Sequence, residues 1–161
     1  MVYSHMGIVL EPPTGAAGVL IGATRAEATR QCTAHGDPEP FRRHDEPNPS
    51  LSVRHSSGLS VFVYFDDADV VNAVELGRAD NGEIVAFDDI DVFGTPAEDV
   101  VEQLRRKTPV EVTDGGRSVT AAGLLLALWR PTVPESAEDD EGRFRVSLGC
   151  PTWVLRLSYR P

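Results

Sequence analysis

Thr95-Pro96-Ala97-Glu98 leads into Asp99-Val100-Val101-Glu102-Gln103-Leu104, and this stretch decides how the chain is read. A threonine hydroxyl can accept from the first free N–H groups of a helix, and a glutamate three residues on can reach back to the threonine's own N–H. Proline at the first helical position loses nothing, because its N–H would have no partner there anyway. Ala97, Val100, Val101 and Leu104 then recur at i, i+3, i+4 and i+7, one apolar stripe of a helix. Arg105, Arg106 and Lys107 follow where the helix dipole favours cations, and Pro109 stops the run. The pattern predicts a helix over 96–107.

The same signature stands earlier, at Thr24-Arg25-Ala26-Glu27. Ala28 and Cys32 lie one turn apart behind it, and Gly36 and Pro38 close the segment, which predicts a helix over 25–35. Thr24 and Thr95 are 71 positions apart, as are Glu27 and Glu98. Val19-Leu20-Ile21-Gly22 precedes the first signature and Asp91-Val92-Phe93-Gly94 the second. After the first helix the pattern predicts strands at 51–55, 59–65, 70–76 and 83–87. After the second it predicts strands at 110–112, 124–129, 144–148 and 153–159. The expected fold is α+β: two helices packed on a largely antiparallel sheet, with a strand–helix–strands unit used twice. One globular domain over 1–161 is expected, divisible into similar halves at 7–87 and 88–161.

Within the strands, side chains alternate between faces. Leu59, Val61, Val63 and Phe65 point one way and Ser60, Phe62 and Tyr64 the other, which suits a central strand. Asp66-Asp67-Ala68-Asp69 reads as the turn of a hairpin into Val70. Residues 37–50, with four prolines among charges, and 132–142, rich in acid, read as irregular loops.

A chain of 161 residues with 41% hydrophobic and 25% charged content can bury a core without staples. Its formal net charge of -10 repels phosphate backbones, which argues against nucleic acid as a partner. No apolar run is long enough to span a bilayer, and the first residues show no export signal, so a cytoplasmic protein without a membrane partner is expected. Lys107 is the only lysine among the 15 basic residues, a bias towards arginine that suits a GC-rich bacterial coding sequence.

Several residue groups could carry chemistry. Cys32, His35, His44 and His55 are of the types zinc prefers, but their spacing fits no specific metal pattern. Cys32 and His35 share a helical face, yet Cys32 continues the apolar stripe, where a thiolate is disfavoured. Asp66–Asp69 and Asp88–Asp91 lack the alternating ligands of a calcium loop. No phosphate-binding glycine loop, nucleophile elbow or HExxH sequence occurs. No catalytic residue, metal or cofactor is assigned on these grounds.

The remaining feature is a set of arginines near the end of the chain. If 143–148 and 153–159 form a hairpin, Arg143, Arg145 and Arg156 project from one face, with Arg145 and Arg156 nearly opposite. Like charges so placed call for an anion over them. The acidic stretch Glu135–Glu141 is the nearest source, and an acidic partner surface or small anion is the functional version.

Two short α+β units in tandem, opened by Gly22-Ala23-Thr24-Arg25-Ala26-Glu27 and Gly94-Thr95-Pro96-Ala97-Glu98, resemble the architecture of β-lactamase inhibitory protein-like folds. The resemblance implies a sheet whose open face binds proteins and does no chemistry. That family carries a disulfide in each unit, whereas each half here has one cysteine, Cys32 and Cys150. The function expected is a non-catalytic protein-interaction module, such as an inhibitor, an immunity-type protein or an adaptor. The alternatives are a small-ligand binder with a pocket between sheet and helices, and an enzyme built from dispersed Asp, Glu, His and Cys residues.

Overall fold

The computed structural model describes residues 8–11, 14–42, 48–55, 58–77, 85–92, 95–124, 126–129 and 145–149. Helix α1 spans Arg25–Cys32 and α2 spans Ala97–Arg105. The chain is α+β, with both helices against antiparallel sheet.

The two helix starts differ. At α1 the expected capping box forms. Glu27 N donates to Thr24 Oγ1 at 3.2 Å, and Thr24 N donates to Glu27 Oε2 at 3.4 Å. At α2 it does not. Pro96 itself is the N-cap, extended at φ -53 and ψ 141, with no side-chain cap, and the helix begins one residue later than its signature suggests. Thr95 thereby lies outside the cap, and its N–H donates instead to the Asp91 carbonyl at 3.1 Å. Both helices end earlier than predicted. Behind α1, an added Cβ on Gly36 would lie 2.8 Å from the Arg54 carbonyl oxygen, so the close approach of the two backbones there needs glycine.

Between the helices run β4 (Glu39–Phe41), β5 (Ser50–Arg54), β6 (Ser60–Phe65) and β7 (Val71–Gly77). After α2 run β10 (Glu111–Thr113), β11 (Ser118–Ala121), β12 (Leu126–Trp129) and β13 (Arg145–Gly149). All eight join one sheet in the order β10-β11-β12-β13-β7-β6-β5-β4, antiparallel at every step. Each set of four is a meander, and the last strand of one set pairs with the last strand of the other. The central seam pairs Val146 with Leu76 and Leu148 with Val74.

A smaller sheet precedes the helices. Its strands β1 (Ile8–Glu11), β2 (Gly15–Ala16), β3 (Val19–Leu20), β8 (Val85–Phe87) and β9 (Ile90–Asp91) run in the order β3-β2-β1-β8-β9. β1 and β8 are parallel. The β2–β3 hairpin pairs Gly15 with Leu20 and Ala16 with Val19; the β8–β9 hairpin pairs Ala86 with Asp91 and Phe87 with Ile90. Each partner in the second hairpin stands 71 positions after its counterpart. The strand expected at 83–87 therefore belongs to this sheet and not to the first meander, and a division at 87/88 would cut the β8–β9 turn.

One core unites these parts. On the large sheet, Leu51, Val53, Val61, Val63, Val74, Leu76, Val119, Ala121, Leu126 and Leu128 lie on one face and are buried. Ala28 and Cys32 of α1 and Ala97, Val100 and Leu104 of α2 meet them. The period-2 alternation of the strands and the i, i+3, i+4, i+7 stripe of α2 thus point at the same interior.

Candidate interaction surface

The other face of the large sheet is built by the residues between those core positions. Cross-strand register places Phe41 beside Ser50, Phe62 between Ser52 and Glu75, and Tyr64 beside Ala73. Across the seam it places Ala127 between Thr120 and Ser147, and Trp129 between Ser118 and Arg145. Ser50 and Ser52 are small, so the aromatic rings of β4 and β6 can meet over β5. The Phe41 and Phe62 rings are 5.6 Å apart at 67°, and Phe41 and Tyr64 are 6.1 Å apart at 70°. Such edge-to-face contacts fix ring positions.

This face is distinct from the core. Tyr64, Ala73 and Ala127 are buried but lie outside the cluster that holds the helices. Phe41 and Phe62 are half-buried, and Trp129 is 36% exposed. Between the aromatics of one half and Trp129 of the other, the strands carry the small residues Ala73, Gly77, Ala127 and Gly149. Aromatic side chains thus stand on both sides of the seam.

The loop ends of the sheet are pinned to α1. Arg25 Nε donates to both carboxylate oxygens of Asp69 at 2.9 Å, and Nη2 donates to Asp69 Oδ1 and to the Pro49 carbonyl, each at 2.7 Å. Its guanidinium lies 4.0 Å over the Phe65 ring. Asp69 sits at φ 62, in the left-handed region, as the last residue of the β6–β7 turn. Asp66 Oδ1 accepts from Ala68 N at 2.9 Å and Val70 N at 3.1 Å, an Asx turn that shapes this hairpin.

Of the sequence-derived arginine set, one member falls within the described residues. Arg143 and Arg156 lie outside the described residues. Arg145 starts β13, in register with Trp129. β13 lies between β12 and β7 in the sheet, and the expected strand at 153–159 lies outside the described residues.

The Cys and His residues separate too. Cys32 is buried in the core, and burial pushes its thiol up to about 11, far from a thiolate at neutral pH. His35 places Nε2 2.6 Å from the Ala17 carbonyl oxygen. His35 and His55 meet edge to face at 5.7 Å, and His44 lies outside the described residues, as does Cys150. Among the described residues no three His, Cys, Asp or Glu side chains converge as a metal site. A cavity of about 320 Å³ opens on the outer side of α2, lined by Asp89, Thr95, Asp99, Glu102, Arg106 and Lys107. Its lining comes from α2, the residues that flank it and the β8–β9 turn. No helix among the described residues is long and apolar enough to cross a membrane.

Sequence reasoning missed the aromatic face. The alternation Ser60, Phe62, Tyr64 was the available signal, but a strand apolar on both sides reads as deep interior. Compared with protein families, curated proteins and solved structures, the chain has no match in any of the three.

Proposed function

We propose that this chain is a non-catalytic protein-interaction module made of two like units, and that it binds its partner through the face of the large sheet opposite the two described helices. The observation that carries the reading is the aromatic set Phe41, Phe62 and Trp129, which is only partly buried and spans both halves of the sheet. Aromatic residues are enriched where proteins meet, because each brings a large apolar area at a low cost in side-chain entropy. The likeness of the paired helix-start signatures to β-lactamase inhibitory protein-like folds points in the same direction.

The test is capture of a partner from the native cell by the full chain and by a Phe62→Arg, Trp129→Arg variant, with the melting temperature of both measured first. A partner retained by the wild type should bind the variant at least about 30-fold more weakly, as expected when hot-spot residues are lost. Equal affinity for a folded variant would remove this face from the proposal.

A further inference from the structure

The two small hairpins are each closed by a residue that follows the next helix, and the two residues differ in chemistry. His35 stands eleven positions after Thr24, the N-cap of α1, and Lys107 stands eleven after Pro96, the N-cap of α2. Each returns to the turn of the hairpin that precedes its helix. His35 Nε2 lies 2.6 Å from the Ala17 carbonyl oxygen. A carbonyl can only accept, so this nitrogen carries the hydrogen and the bond needs no net charge. Lys107 Nζ lies 3.4 Å from Asp88 Oδ2 and 3.4 Å from Asp89 Oδ1. The turns match in backbone, with Ala17 at φ 55 and Asp88 at φ 50. Non-glycine residues rarely adopt this conformation, so both turns are held in a costly shape.

We infer that the hairpins are straps of two kinds: the first is shut by a hydrogen bond to an uncharged carbonyl and the second by an exposed ionic contact, so that salt loosens the second and leaves the first closed. Asp88 and Asp89 are 63% and 84% exposed, where mobile ions reach them. Other charges face the same region. Arg106 pairs with Glu102 at 3.2 Å, and Asp99 lines the cavity beside Asp89 and Lys107. Screening weakens the repulsion among these acids as well, but the two contacts with Lys107 are at the short separations where Coulomb attraction is steepest. Asp89 and Lys107 also border the cavity on α2, so release of the strap widens its mouth.

Hydrogen–deuterium exchange of the full chain in sodium chloride at ~0.01 M and ~1 M, where the Debye length falls from about 30 to about 3 Å, tests this. Exchange in residues 86–91 should rise about threefold in high salt, in keeping with the small strength of exposed ion pairs, while residues 15–20 hold steady. Lys107→Gln should bring the low-salt rate in 86–91 up to the high-salt value and abolish the response. An equal response of the two hairpins, no response in 86–91, or a full response in Lys107→Gln would each overturn the inference. The wild-type comparison needs no variant to fold.

Discussion

Arg25 shows how much one side chain can hold together. It joins the first turn of α1 to the β6–β7 turn through Asp69, to the β4–β5 connection through the Pro49 carbonyl, and to the sheet through the Phe65 ring. Hydrogen bonding to Arg25 is the main cause that holds the Asp69 carboxyl below its ordinary 3.8, with the charge of Arg25 adding to it and burial opposing it. A carboxyl depressed on folding contributes stability that is present above its unfolded value and is lost as pH falls through the folded one. Asp69→Asn should therefore be less stable than the wild type at neutral pH and should lose less stability below pH 3.8. Urea unfolding across an acid series measures this, and parallel curves for the two proteins would sink the assignment. Lysine is a poor substitute at position 25, because it lacks the planar fork that grips both oxygens and stacks on the ring.

At the scale of elements, the two helix starts make a paired experiment. Thr24 caps α1 through its side chain, whereas Thr95 lies one residue outside α2. Thr24→Ala should cost about 1 kcal/mol and Thr95→Ala less than about 0.5 kcal/mol, read from denaturant midpoints. Equal costs would mean that Thr95 caps after all. The same pair shows what the sequence makes legible. Both helices announce themselves, because cap, apolar stripe and stop all fall within a dozen residues. So do β5, β6 and β7, each long enough for alternation to register. The strands β2, β3 and β9 have two residues each, and β4 has three with Pro40 at its centre. Nothing periodic can be read from two residues, and proline argues against a strand unless it lies at a sheet edge, which is where β4 lies. The candidate surface was harder still. Phe41 and Phe62 meet across an intervening strand, and only the register of three strands brings them together.

Over the whole molecule the strand order reads the same from either edge: a meander of four, a seam, a meander of four. One apolar interior lies beneath both meanders and beneath both helices. Leu76 is fully buried on β7, at the seam, in register with Val61 on one side and Val146 on the other. Leu76→Ala should cost about 2–5 kcal/mol, the range for cavities in packed cores. Because the core is shared, fluorescence and circular dichroism should report one coincident transition in wild type and variant. Two separated transitions would show that the halves unfold independently and that the seam couples them weakly.

The position of β13 has a consequence for the birth of the chain on the ribosome. Residues 145–149 are made last among the described strands, yet they fill the middle of the sheet. When the first meander has emerged, β7 still waits for its neighbour, and its open edge displays apolar strand to the surrounding cytosol or lumen. Such an edge is where nascent chains adhere to one another. Translation is therefore a race to the closing strand, and the interval between synthesis of residues 77 and 145 is when a chaperone has most to do.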